Sequence, residues 1–162
     1  MTAMANESGS SALTIGCSRV RADRYSYGPT LVFELEFVRP NDDPVLTVAL
    51  RCQIRVEPRR RDYTRREAAA LHDLFGSRRQ FESSLNPMQL THVAQMVPAF
   101  RGRGQCELPV PLTYDLDIAC SRYFASLEQG VIPLVLLFSG SVFSTGADGR
   151  LVVEPAPWDA GV

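Results

Sequence analysis

Between residues 31 and 56 apolar and polar side chains alternate almost without a break, and this period constrains the fold more than any other feature of the chain. Leu31, Phe33, Leu35 and Phe37 share one parity, and Glu34 and Glu36 the other. After the turn residues Pro40-Asn41-Asp42-Asp43-Pro44, the rhythm resumes with Leu46, Val48, Leu50, Cys52, Ile54 and Val56, interleaved with Thr47, Ala49, Arg51, Gln53 and Arg55. Successive side chains of a strand point to opposite faces, so both runs predict strands with one face on a core. Paired as a hairpin, they would set Glu34 and Glu36 against Arg51 on the outer face, which helps register.

The rest of the chain repeats the theme. Leu13, Ile15 and Cys17 alternate with polar or small residues, and further strands are expected at about 91–97, 105–112, 131–145 and 151–153. The segment 116–127 fits a strand or a helix, with strand preferred because Ile118, Cys120 and Phe124 share a parity. One helix interrupts the pattern. Thr64 and Glu67 form a T-x-x-E capping box, Leu71, Leu74 and Phe75 make an apolar stripe, and Gly76 stands where a left-handed terminal residue belongs. Residues 77–90 show no clean period and read as a surface excursion with a turn at Asn86-Pro87. Pro155 and Pro157 close the fold, with Trp158 turned back onto the core. Short strands, frequent turns and a single inserted helix near 64–75 describe a mainly β protein, an antiparallel β-sandwich of immunoglobulin-like or similar type. The expected organisation is a disordered leader at 1–11, one sandwich domain over 12–158 and a tail at 159–162. A chain of 162 residues suits one such domain.

Charge is balanced overall, with 17 basic and 18 acidic residues, so the composition gives no pull toward nucleic acid. No apolar run reaches the roughly 18–20 residues of a membrane span. Locally the balance breaks. Residues 51–79 hold nine arginines against Glu57, Asp62, Glu67 and Asp73, whereas residues 104–162 hold two arginines against seven acids. Arg59, Arg60, Arg61, Arg65 and Arg66 crowd the start of the capped helix, where positive charge opposes the helix dipole. Arg78 and Arg79 follow its end. An acidic protein surface or a bound anion is the partner this cluster suits. Every basic residue is arginine, the side chain suited to forked carboxylate contacts.

Signals for catalysis are missing. There is no G-x-S-x-G elbow, and Ser139-Gly140-Ser141 lies within a strand, where its glycine suits a bulge or close backbone packing. Arg101-Gly102-Arg103-Gly104 reads as a flexible link without the helix a phosphate site needs. Cys17, Cys52, Cys106 and Cys120 lack metal-ligand spacing and read as buried strand thiols, with one disulfide left open. Such thiols fit a reducing cytoplasm. His72 is expected at the solvent edge of the helix and His92 at a strand start. His92, Asp115 and Asp117 are the residues that could ligate a metal, and the pattern calls for no cofactor. A second reading is therefore a small-molecule or metal-binding protein, with an enzyme among the alternatives, whose site lies at one end of the sandwich. A third is a structural homo-oligomer joined head to tail by opposite charges.

The motifs Leu50-Arg-Cys-Gln-Ile-Arg-Val-Glu-Pro58, Asp73-Leu-Phe-Gly76, Leu90-Thr-His92, Val97-Pro-x-Phe100, Leu108-Pro-Val-Pro-x-Thr-Tyr-Asp115, Tyr123-Phe124, Leu137-Phe-Ser-Gly-x-Val-Phe143 and Pro157-Trp158 carry a resemblance. Together they make the chain similar, over about residues 12–158, to an uncharacterised, mainly actinobacterial family of unknown function. Members of that family are often encoded near nickel–iron hydrogenase genes. The resemblance implies a non-enzymatic accessory or assembly role, with a hydrogenase subunit or maturation factor as partner, and it carries over no catalytic residue. Leu112 and Met88-Gln89 stand where a cysteine and an aromatic pair are expected, which argues against thiol chemistry.

Overall fold

The computed structural model describes residues 13–40, 42–112, 118–157 and 159–160. Three strands form the first layer: β1 (Thr14–Asp23), β2 (Thr30–Val38) and β6 (Arg103–Pro111), in the order β1-β2-β6. The second layer is built on β3 (Pro44–Val56), which pairs on one side with β4 (Met88–Val97) and the short β5 (Phe100–Arg101). On its other side lies β7 (Leu134–Thr145), bordered in turn by β8 (Leu151–Pro155) and β9 (Asp159–Ala160). Every pairing is antiparallel, and the hydrogen-bonded path runs β1-β2-β6-β5-β3-β7-β8 through the corner at β5. The two layers face each other as an antiparallel sandwich.

The alternation places the core as expected. Phe33, Leu35 and Phe37 from β2 meet Val48, Leu50, Cys52, Ile54 and Val56 from β3, joined by Leu108, Val110, Leu136, Phe138 and Val142. Leu46 departs from its parity. A bulge between Val45 and Thr47 turns it outward, 46% exposed, and puts Val45 into the core instead. Gly140 shows why glycine stands in the middle of β7. Its φ is 134°, and a Cβ there would lie 1.9 Å from the carbonyl oxygen of Ala49.

The expected hairpin of 31–56 does not form. β2 and β3 are each flanked on both sides by other strands, so neither has an edge free for the other. The intervening turn carries the chain from one layer to the next, tied down by the Arg39 N–H to the carbonyl of Gly102 at 2.7 Å. The Arg39 side chain is buried and reaches Glu154 of β8 at 2.9 Å. Glu34 meets arginine from its other neighbour: Arg21 lies 3.5 Å from it and 2.7 Å from Glu107, bridging two carboxylates that sit opposite each other in the ladder.

The helical segments also differ from expectation. The capped helix divides at Leu71 into α1 (Arg65–Ala70) and α2 (His72–Phe75), and Gly76 follows with φ 75°. Residues 77–90 are not an irregular excursion. Ser77 and Gln80 make a second capping box, α3 (Phe81–Ser84) buries Phe81 with Leu85 one turn on, and β4 starts at Met88. The preferred strand within 116–127 is the helix α4 (Ile118–Ala125), which buries Cys120 and Tyr123 three residues apart. Spacing of two and of three were both available there, and the buried Tyr123 decides for the helix. Cys120 is accordingly not a strand residue, and none of the four cysteines is joined in a disulfide. Arg101 to Gly104 is a tight ordered corner with Gly102 at φ 57°, not a flexible link. After Pro157 the chain continues into β9, where Ala160 pairs with Leu136. The leader, the Asp115–Asp117 pair and Trp158 lie outside the described residues.

Because the Gly140 backbone touches its neighbour strand, Gly140→Ala is expected to cost about 2–4 kcal/mol of folding stability, read from the urea midpoint.

Candidate interaction surface

The helical insertion between β3 and β4 is fixed to the sandwich by one buried carboxylate. Glu67, 1% exposed at its side chain, accepts the backbone N–H of Thr64 at 2.9 Å and that of Glu128 at 3.1 Å. The Arg61 guanidinium, 8% exposed, meets it at 2.8 Å. These contacts hold the Glu67 carboxyl below its ordinary value near 4.5; the Thr64 N–H is the strongest of them, followed by that of Glu128. Arg61 also donates to the carbonyls of Gln129 and Val131 and lies 5.1 Å above the ring of Tyr63. This is work for a flat, forked cation.

Below this node the aromatic side chains interlock. Tyr63 donates to the carbonyl of Pro58 at 2.6 Å and lies 2.8 Å from the hydroxyl of Tyr123. The single Tyr63 proton is used on Pro58, so Tyr123 is the donor of that second bond. Burial raises the pKa of both phenols. Phe75 and Phe81 pack edge-on against this pair and each other, and the Ser84 hydroxyl donates to the carbonyl of Phe75 at 2.6 Å.

Of the seven arginines expected to form a contact surface, six are exposed and one is not. Arg61 belongs to the interior, because Glu67 and the carbonyls of Asp62, Gln129 and Val131 take its donors. Arg59 and Arg60 lie on a single turn of tight helix at Pro58–Arg60, Arg65 and Arg66 open α1, and Arg78 and Arg79 lie on the turn after Gly76. Arg66 pairs loosely with Glu128 at 3.3 Å. Residues distant in sequence come together in a groove of about 350 Å³, where Arg59, Arg61 and Arg78 meet Tyr63, Phe81 and Leu85, with Asp62 and Glu82 also on its wall. The aromatic floor was not visible in the sequence; Phe81 and Leu85, four residues apart beside a second capping box, were the available sign.

The other expected site residues lie elsewhere. His72 is exposed on α2, as expected. His92 sits inside β4 rather than at its start, opposite Gln53, on the outer face of the second layer. It contacts Gln89 at 3.3 Å and borders a shallow groove of about 630 Å³ with Arg51, Gln53 and Ser139. Among the described residues no three His, Cys, Asp or Glu side chains are grouped to hold a metal ion. Nor is any described helix long and apolar enough to cross a membrane.

Comparison with known families places the chain. A family of unknown function, DUF6084, matches residues 10–162. The chain belongs to this family. The match spans both layers of the sandwich and the helical insertion, so the basic face is part of the DUF6084 domain and not an appendage to it. No curated protein matches the chain.

Glu67→Gln is expected to cost about 3 kcal/mol, because it leaves the buried Arg61 charge without its anion. A carboxyl with a depressed folded pKa stabilises fully above its unfolded value and ceases to do so as pH falls through the folded one. The stability gap between wild type and Glu67→Gln should therefore be constant near neutrality and shrink below about pH 4.5, as urea midpoints across pH will show.

Proposed function

We propose that this chain is a non-enzymatic interaction or assembly module that binds an acidic surface of a partner protein through its Arg59–Arg79 face. The observation that carries this reading is the groove that brings Arg59 and Arg78 together over the buried rings of Tyr63 and Phe81. Arginine and aromatic side chains are the residues that most often anchor protein interfaces. The surrounding Arg60, Arg65 and Arg79 are exposed and have no carboxylate within salt-bridge reach among the described residues, so they would steer an acidic partner without first breaking internal pairs. Positive charge at the opening of α1 is unfavourable for the helix, and the Glu67 carboxylate offsets it from beneath.

The family resemblance directs the choice of partner to a component or maturation factor of a nickel–iron hydrogenase, in the cytoplasm of an actinobacterial cell. The groove at His92, with Arg51, Gln53 and Ser139 as donors, favours a second reading in which the domain binds a small oxygen-rich molecule.

Co-purification with hydrogenase components tests the partner, and charge reversal tests the face. Arg59→Glu with Arg78→Glu is expected to weaken binding of the recovered partner about a hundredfold, some 2.7 kcal/mol, and to flatten its dependence on salt. An affinity unchanged by both reversals rejects this face.

A further inference from the structure

β8 is the last strand of the hydrogen-bonded path, with β7 on one side and no strand on the other among the described residues. An edge of this kind is normally blunted by charge, proline or a covering loop. Here its middle is Leu151-Val152-Val153, with Leu151 62% and Val153 55% exposed. Arg150 stands just before the strand, ion-paired to Asp148, and Glu154, ion-paired to Arg39, precedes Pro155 at its end.

The direction of its free backbone groups follows from its pairing with β7. The Gly146 N–H donates to the carbonyl of Arg150 at 2.8 Å, and the Ala156 N–H to the carbonyl of Gly140 at 3.0 Å. In an antiparallel ladder these groups alternate, so Arg150, Val152 and Glu154 turn theirs toward β7. Leu151 and Val153 turn theirs outward.

We propose that this edge is a homodimer interface, in which a second copy of the chain adds its own β8 antiparallel about a two-fold axis at Val152. In that register Leu151 of each copy faces Val153 of the other, and the outward N–H and C=O groups of both residues are paired reciprocally. Val152 meets its own counterpart. Arg150 of each copy stands opposite Glu154 of the other, a cross-strand pair of opposite charge on one face. Moving the axis to Val153 would set Leu151 against Pro155, which has no N–H to give, and Glu154 against Val152. Moving it to Leu151 would set Arg150 against Val152. Only the axis at Val152 satisfies the backbone, the apolar side chains and the charges together. The contact is isologous and closes at two copies. It is separate from the Arg59–Arg79 face, so either can fail without the other.

Sedimentation of the full chain over a range of concentrations reads the association directly. The expected result is a monomer–dimer equilibrium. Val153→Lys, at an exposed side chain, should raise its dissociation constant at least about tenfold while the thermal midpoint of the monomer stays unchanged. Arg150→Glu, whose side chain is 86% exposed, should do the same by facing Glu154 with a like charge, and it serves should Val153→Lys fold poorly. Val152→Cys reads the register. Opposed residues at a non-hydrogen-bonded position bring their Cα atoms to about 4.5 Å, within the range of a disulfide, so mild oxidation should join two copies covalently. A single monomeric mass at every concentration would overturn the proposal. So would a dimer that Val153→Lys and Arg150→Glu both leave intact, including one lost instead on reversing Arg60 and Arg65.

Discussion

The helical end of this molecule depends on one carboxylate that water hardly reaches. Glu67 completes the cap of α1, receives the N–H of Glu128 from a loop some sixty residues on, and neutralises Arg61. Three chain segments thereby meet at a single charge. Removing a charge from water is costly, and Glu67 recovers that cost only because its oxygens are met by two backbone donors and a guanidinium. The aromatic cluster beneath it, Tyr63, Tyr123, Phe75 and Phe81, has its place because this node fixes the backbone on either side.

This arrangement divides labour among arginines that look equivalent in the sequence. Arg61 is structural, packed on Tyr63 and occupied by four oxygen partners. Its neighbours Arg59 and Arg60 project from the same short turn into solvent. Membership of a family of unknown function supplies no activity to check against, and the contrast between one arginine spent inside and six held outside adds to what the groove offers a partner.

Much of the sandwich was legible because its cause is local. Alternation at 31–37 and 46–56, the Thr64–Glu67 box and the tight packing at Gly140 each follow from side chains a few positions apart, and each is found. What was misread depends on distance. β2 is taken on one side by β1, just before it in the chain, and on the other by β6, far along it, so proximity to β3 suggested a hairpin that does not exist. The Leu46 bulge inserts a single residue and inverts a parity that the apolar pattern itself cannot register. In 116–127 Cys120 belongs equally to either period, and only the burial of Tyr123 separates them. At the surface, the pattern of residues around Arg61 does not tell it apart from Arg60, since two of its partners, Gln129 and Val131, lie far along the chain.

The corner at β5 has a consequence for how the domain comes apart. Arg101 pairs with Arg103 across Gly102, while Val45 and Pro44 pair with Phe100 and Arg101, so the ladder passes from one layer to the other without a seam. Peeling away either layer strips partners from the other, and Arg39, anchored to that corner and to Glu154, resists the same parting. Partial opening therefore exposes amides on both sides at once, which favours melting as one cooperative unit over any persistent half-sandwich.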